Sequence, residues 1–299
     1  MNKLLLLAFA LPQFLLAQDF QSQFYQALNE KDSIKQLEVL ENWKASSPVP
    51  PAAEYYAAAF NYHVNLARTE LLEISPEAAS DEAMTILDSN GNVEGYIHSR
   101  ISYDEAKVLE AINLLDEGLD HYPNRLDLRF GKIYVLGQTQ NWGRFTSAIL
   151  NTIDYSVEID NQWLWEHNSD FSPTPQEDFL GSMQDYQLQL YNTEEDSLMA
   201  NMRAIANKIL EHYPDHTVSL SNLALTYMVE EKWDQAIASL DKARSLDEAD
   251  MVIVANLAHS YRMKGDTNKA REYYLIMRES DDLEIVDFAE YMLEQLEAE

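Results

Sequence analysis

Apolar positions recur at helical spacing along most of the chain, and most regularly over residues 217–282. In the first half of that stretch they lie three or four positions apart, as on one face of an α-helix: Leu223, Ala224, Tyr227, then Ala236, Leu240 and Ala243. The same pattern returns 34 residues later at Leu257, Ala258, Tyr261 and Ala270. A fixed period of this length is typical of stacked helical hairpins, so we predict two regular hairpins, at 217–250 and 251–284.

Less regular helices are predicted before this stretch. They cover Phe20–Leu28, Ile34–Ala45, Ala52–Ile74, Asp104–Tyr122, Leu126–Thr139, Trp142–Tyr155, Met183–Tyr191 and Asp196–His212. Two His-Tyr-Pro motifs end at Pro123 and Pro214, and a tryptophan follows each proline after 19 positions. Leu126–Thr152 is therefore interpreted as a degenerate copy of the regular hairpin.

A helix over Leu283–Leu296 is predicted to close the chain. In register with the hairpins, its Phe288, Tyr291 and Met292 should face inward, and most of its acidic residues outward. A helix with a polar outer side caps a stack, which an open-ended repeat array needs for solubility.

Two insertions interrupt the helical pattern. The first, near residues 82–99, contains Asn90-Gly91 between two apolar runs, which predicts a β-hairpin. The alternation of Asp88, Asn90 and Asn92 resembles a calcium loop, but the glycine at position six and the glutamate at position twelve are missing, so a plain hairpin is preferred. The second, at 161–176, is rich in aromatic residues and proline and has no clear period.

Composition narrows the class of protein. Only 8 Gly and 9 Pro occur in 299 residues, and 46% of residues are hydrophobic, which favours long helices around a real core. The formal net charge of −30 makes nucleic acid and anionic membrane surfaces poor partners. The absence of cysteine excludes disulfides, thiol nucleophiles and cysteine-based metal sites.

The first 17 residues have the layout of a secretory signal peptide. A lysine near the start precedes an apolar run, and small Ala17 precedes Gln18 at the expected cut. The run is too short for a membrane span, which needs about 20 apolar residues. We therefore expect an exported protein, periplasmic or extracellular, without membrane insertion.

The regular stretch resembles the tetratricopeptide repeat (TPR) family. Its signature positions are occupied by Leu220, Leu223, Ala224, Tyr227, Ala236, Leu240 and Ala243, and again by Val254, Leu257, Ala258, Tyr261, Ala270, Tyr274 and Met277. Gly265-Asp266 matches the usual turn between the two helices. The resemblance implies an all-α, TPR-like superhelical solenoid of helix-turn-helix repeats over residues 18–299, with a small β-hairpin insertion.

The resemblance also implies a function. In such folds the first helix of each pair lines a groove that holds an extended peptide or a partner helix, without a cofactor. Its register implies that Asn222, Asn256, His259 and Arg262 face this groove. Asparagine suits that place because its amide both donates and accepts hydrogen bonds. Neighbouring Val218, Ser221, Val252 and Ala255 do not supply the basic residues that a carboxylate-binding groove needs.

The sequence gives less support to other classes of function. No His-Glu-x-x-His motif, Gly-x-Ser-x-Gly motif or phosphate-binding glycine loop occurs, so an enzyme is not expected. Trp163 and Trp165 are the most unusual local feature. Exposed rings there could stack on sugars or anchor a partner, which leaves a glycan-binding protein of the cell envelope as the alternative function. Alternatively, both rings fold back and cover a helix pair. The favoured function is a non-enzymatic protein-interaction scaffold.

Overall fold

The computed structural model describes residues 10–78 and 83–298, with side chains over 19–78 and 83–297. These residues form thirteen α-helices: α1 (Ala10–Asn29), α2 (Ser33–Ser46), α3 (Ala53–Ala67), α4 (Glu105–His121), α5 (Leu126–Gln138), α6 (Trp142–Glu158), α7 (Pro175–Tyr191), α8 (Met199–His212), α9 (Thr217–Val229), α10 (Trp233–Leu246), α11 (Met251–Lys264), α12 (Thr267–Arg278) and α13 (Leu283–Ala298). Three strands lie between α3 and α4: β1 (Arg68–Ser75), β2 (Met84–Leu87) and β3 (Val93–Tyr103). The helical class with a small β insertion is confirmed.

The predicted helix Ala52–Ile74 is wrong beyond Ala67. Helix α3 ends at Ala67, and the chain continues directly as β1, which pairs antiparallel with β3 from Arg68 opposite Tyr103 to Ser75 opposite Tyr96. The cause is tertiary, because the backbone of Arg68–Ser75 finds its hydrogen-bond partners on a strand that follows much later in the sequence. The insertion is therefore a three-stranded sheet in the order β1-β3-β2.

The predicted hairpin between β2 and β3 is confirmed. Gly91 adopts a positive φ of 85°, which the turn requires. One carboxylate oxygen of Asp88 accepts hydrogen bonds from the backbone N–H groups of Asn90 (2.7 Å) and Asn92 (2.8 Å), and the other accepts from the Asn92 side chain (2.9 Å). The Asn92 amide and these backbone groups lower the pKa of Asp88. The carboxylate thus closes the turn.

The described chain divides into two compact units. Unit 1 comprises residues up to 141 together with 162–171, and unit 2 comprises 142–161 and 172 onward. The degenerate hairpin is divided, since α5 belongs to unit 1 and α6 to unit 2. Where the regular hairpins have Ala236 and Ala270, α6 has the larger Phe145, which is fully buried.

Four turns between consecutive helices share one geometry. One residue just after each helix end has a positive φ of 54–86°: Lys31, Gln140, Glu231 and Gly265. The next backbone N–H then bonds a carbonyl five residues back, at 2.8–2.9 Å, as in Lys232 to Tyr227 and Asp266 to Tyr261. This is the Schellman arrangement, which satisfies the last carbonyls of a helix. The repeat is therefore visible in the backbone even where the sequence has diverged.

Unit 1 has an aromatic core. Trp43 of α2 contacts the edge of Tyr55 of α3, and Tyr56 lies against α4. Gly118 of α4 permits that approach, because a Cβ there would lie 2.9 Å from the Tyr56 side chain. Large rings therefore pack beside small residues in this unit, as Tyr56 does against Gly118.

The regular hairpins of unit 2 have small residues at their closest approach. Ala224, Ala236, Ala258 and Ala270 are completely buried, and Leu240, Leu257 and Tyr274 fill the space beside them. Small residues let the helix backbones approach, and larger neighbours interdigitate around them. The sequence prediction for these hairpins is confirmed.

The orientation predicted for the last helix is partly wrong. Helix α13 packs on the stack through Ala289, Met292 and Leu296, whereas Phe288 and Tyr291 stay 48% and 57% exposed. Helix α12 ends earlier than a strict 34-residue period requires, so α13 also begins two residues early and presents a different face. Among the described residues, no helix is long and apolar enough to cross a membrane.

Candidate binding surface

Helices α9, α11 and α13 expose the same positions, counted from their first residues. The second, sixth, ninth and thirteenth positions lie on one helix face, because they are spaced i, i+4, i+7 and i+11. They are Val218, Asn222, Leu225 and Val229 on α9; Val252, Asn256, His259 and Met263 on α11; and Glu284, Phe288, Tyr291 and Gln295 on α13. We name this set, with Gln184, Leu188 and Tyr191 of α7, the groove stripe.

The groove stripe is more apolar than a solvated helix face needs to be. Val252 is 66% exposed, Leu188 52% and Met263 51%, and the two aromatic residues of α13 are similarly open. The opposite sides of α9 and α11 meet in one core through Leu220, Ala224, Ile253 and Leu257. The stripe is thus held on packed helices, with its side chains directed away from their shared core.

Three of the four residues expected in a groove belong to the stripe. Asn222 and Asn256 occupy equivalent positions and are half-buried, and neither side-chain amide has a hydrogen-bond partner among the described residues. His259 contacts the edge of Trp233, with ring centroids 6.0 Å apart. Arg262 is half-buried and borders the stripe rather than forming part of it.

The electrostatics of His259 favour its neutral form. Partial burial and the positive charge of nearby Arg262 both lower the pKa of the imidazole below its usual value of 6.5. A neutral imidazole has one donor and one acceptor nitrogen, as an amide has both functions. The polar positions of the stripe can therefore hydrogen-bond a peptide backbone, while its apolar positions contact side chains.

A cleft of 460 Å³ adjoins the stripe beside α7 and α9. It is lined by Tyr191, Asn192, Glu194, Asp196, Met199 and Val229. Tyr191 and Val229 are stripe residues, so the cleft continues the stripe on its α7 side. We name it the end cleft. Its walls combine an aromatic ring, two aliphatic side chains and two carboxylates.

The tryptophans of the second insertion lie elsewhere, in unit 1. Trp163 is only 2% exposed, and the Arg129 guanidinium lies over its ring, 5.5 Å from the centroid. Trp165 is half-buried against Phe130 and Phe171, with centroid distances of 6.1 and 5.5 Å. Trp163 therefore offers no ring face to a sugar, and both rings cover helix α5 and its surroundings.

A buried ion cluster holds this loop in place. The guanidinium of Arg125, 1% exposed, donates to Glu54 Oε1 at 2.8 Å and to both oxygens of Asp127 at 2.8 and 2.7 Å. Glu54 also accepts the backbone N–H of His167 at 3.0 Å. No pattern in the sequence indicates the contact between Arg125 and Glu54, which are 71 positions apart.

The charges of the cluster support one another. Burial alone would raise the pKa of Glu54, but the charge of Arg125 and the hydrogen bonds to the carboxylate outweigh burial and lower it. Burial would lower the pKa of Arg125, yet its two carboxylate partners raise it. Because Arg125 contacts both carboxylates and Glu54 also accepts the backbone N–H of His167, the cluster acts as a structural clasp for the insertion. Among the described residues, no group of three His, Asp or Glu side chains could hold a metal ion.

No family model matches the chain, and no curated protein matches its sequence. Solved structures similar to this chain include TTC0263, a thermophilic TPR protein of Thermus thermophilus, with 16% identity over 63% of this chain and 92% of that one, at a TM-score of 0.37.

Two further solved structures cover nearly the whole chain. PilW, a type IV pilus biogenesis factor, is 11% identical over 91% of this chain and 97% of its own, with a TM-score of 0.38. The TPR2AB domain of yeast Sti1, solved in complex with pHSP90, is 11% identical over 94% and 96%, with a TM-score of 0.31. At this identity and fit, the matches carry no functional argument. The paired helices, their common turns and the 34-residue spacing of the regular hairpins give this chain the TPR fold.

Proposed function

We propose that the protein is a non-enzymatic interaction scaffold that binds a peptide or partner helix along the groove stripe. The observation that supports this most is the recurrence of the stripe on successive first helices. Val229 and Met263 are exposed apolar residues at equivalent positions, and Val252 is exposed where Val218 is partly exposed, although the rest of each helix packs in the usual way. Contiguous exposed apolar surface of this kind marks interaction sites in soluble proteins.

The stripe can bind without a large rearrangement. Its helices are fixed by the alanine contacts between them, so a bound segment would meet a preformed surface. Asn222 and Asn256 offer free amides on consecutive first helices, and an amide at this place can hold the backbone of a bound peptide. Val252 and Met263 would contact its side chains.

The test uses a random peptide library displayed on phage and selected against the purified chain. Selected peptides should lose most of their affinity for the Val252→Glu variant, because a charge then replaces an exposed apolar contact. Leu246→Glu is the matched control, since Leu246 is an exposed apolar residue on α10 outside the stripe. Equal loss in both variants, or none in either, would contradict the proposal.

We further propose that the protein is exported, on the sequence of residues 1–17. Residues 1–9 lie outside the described structure, and helix α1 runs through the expected cut after Ala17. Mass spectrometry of the protein recovered from its native cell should give an N-terminus at or near Gln18. A mature protein that still begins at Met1 would overturn this part of the proposal.

A further inference from the structure

The end cleft has a chemistry that the stripe residues of α9 and α11 lack. Along α9 and α11 the stripe is apolar or carries neutral polar groups, whereas the cleft adds Glu194 and Asp196 to the aromatic and aliphatic walls. Neither carboxylate has a hydrogen bond or an ion pair from its side chain within the described part of the chain. Both are exposed, so a bound cation can reach them without displacing an internal partner.

The carboxylate at the end of the neighbouring helix α9, by contrast, already has internal partners. Glu230, at the end of α9, is paired with Arg203 at 2.7 Å and with Lys232 at 2.7 Å. Arg203 is also held by its contact with the Tyr227 ring and by hydrogen bonds to Thr226. Arg203 and Lys232, the two cations beside α9, are thus paired with Glu230. They do not pair with the carboxylates of Glu194 and Asp196 in the end cleft.

The walls of the cleft match a long basic side chain. Val229 is partly open and offers apolar surface to a methylene stem, and Met199 lines the cleft although it is almost fully buried. Tyr191 is 40% exposed and can lie against a cation, which aromatic faces attract. Lysine and arginine bury their stems while their charged ends stay in a polar environment.

We propose that the end cleft binds a lysine or arginine side chain of the segment held in the groove stripe. The proposal rests on the proposed function and adds the charge of the partner to it. The net charge of −30 supports a basic partner over a second copy of this chain, because two copies would repel each other. The partner is thus an apolar segment with a basic residue near the end that lies at α7.

The cleft also has the volume for such a side chain. Its 460 Å³ lies within the usual range of about 300–1,000 Å³ for ligand pockets, although it needs to hold only one side chain. The position beside Tyr191 and Val229 means that one segment could contact both the stripe and the cleft. The basic residue would therefore set the direction in which the segment lies across the helices.

The test takes a peptide selected against the wild-type chain and a second peptide in which its basic residue is replaced by methionine. By calorimetry, the basic peptide should bind the wild type about five- to tenfold more tightly, the size expected for one partly exposed ion pair with an aromatic contact. The preference should disappear in the double variant Glu194→Gln, Asp196→Asn. It should persist in Glu279→Gln, Asp281→Asn, which removes the same charge outside the cleft.

Different results would overturn the scaffold proposal and the end-cleft proposal. If peptides bind and remain sensitive to Val252→Glu, but the basic residue brings no advantage or the cleft variant leaves it unchanged, the cleft assignment is overturned and the scaffold stands. If equal losses occur in both double variants, the preference is a long-range charge effect, which also overturns the cleft assignment. Binding that is insensitive to Val252→Glu overturns the proposed function itself.

Discussion

The regular hairpins of unit 2 and the helices of unit 1 solve the same packing problem with different residues. Helices α9 to α12 approach through four buried alanines and need no internal ion pair at that contact. Unit 1 instead uses large rings, such as Trp43 and Tyr56, and a buried Arg125 between two carboxylates. Unit 1 keeps small residues in its core, such as Ala58 and Ala59, but adds large rings and a charged clasp beside them.

The largest loss of stability is expected from a substitution in the clasp formed by Arg125, Glu54 and Asp127. Replacing Arg125 by methionine keeps an extended side chain but leaves Glu54 and Asp127, both largely withdrawn from solvent, without a cation. Breaking a buried ion pair from one side costs about 3–5 kcal/mol, and we expect a loss of that size in unit 1. Native-state hydrogen exchange of α3 and α5 measures it by segment.

The control for that change is Arg100→Met. Arg100 pairs with Glu73 at 3.4 Å on the exposed sheet, where both side chains are well solvated. Exposed pairs contribute less than about 1 kcal/mol, so exchange in α3 and α5 should stay nearly unchanged. A similar loss in both variants would show that the clasp has no special role.

The second effect tests the alanine contacts of unit 2. Ala236→Leu adds bulk at a fully buried position between α9 and α10, which should cost about 1–3 kcal/mol. Ala238 lies on the exposed side of α10, and Ala238→Leu should change stability by less than about 0.5 kcal/mol. Urea unfolding compares the two. Equal effects would mean that close approach at Ala236 does not limit the packing.

The residues on which these two predictions rest were not equally visible in the sequence. Ala236 repeats at Ala270 after 34 positions, and the turn at Gly265 fits the same period, so the hairpins could be predicted from one chain. The strand Arg68–Ser75 and the clasp could not, because their partners are distant in sequence and no local periodicity marks them. Phe288 and Tyr291 were misassigned since a two-residue shift of α13 changes which face is buried.

The residues of the candidate site also divide into those that could be predicted from the sequence and those that could not. Asn222, Asn256 and His259 were predictable as members of one repeating helix face. The end cleft was not, because it needs the turn after α7 to lie beside the end of α9, and that is a property of the folded unit. For Trp163, a contact role and a packing role were both open from the sequence, and only the structure shows Arg129 and the loop backbone around it.

A smaller change in stability is expected from substitutions in the turns that the regular hairpins share. Glu231 has a positive φ of 54° at the position where Gly265 has 86° in the next hairpin. A residue with a Cβ is disfavoured in this region, so Glu231→Gly should stabilise unit 2 by about 0.5–1 kcal/mol, and Gly265→Ala should destabilise it by a similar amount. Thermal unfolding of both variants checks the signs. A loss of stability in Glu231→Gly would contradict the assignment of equivalent turns.

The smallest expected effect is a pH dependence in unit 1. The pKa of Glu54 is lowered on folding, so the unfolded chain takes up its proton first as the pH falls. The contribution of Glu54 is complete above its ordinary pKa of 4.5 and is lost as the pH falls through its lower value in the folded protein. Exchange in α3 should accelerate below pH 4.5, and less so in Glu54→Gln. The same acid sensitivity in that variant would assign the effect to other carboxyls.

The central claim is that binding takes place on the groove stripe of unit 2 and not on the insertions. Hydrogen exchange measured with and without a saturating selected peptide tests it most directly, because it reports on both units in one sample. A peptide bound on the groove stripe should slow exchange in α7, α9 and α11 and leave the sheet and the loop 162–171 unchanged. Protection confined to the sheet or to that loop, with α9 and α11 unaffected, would contradict it.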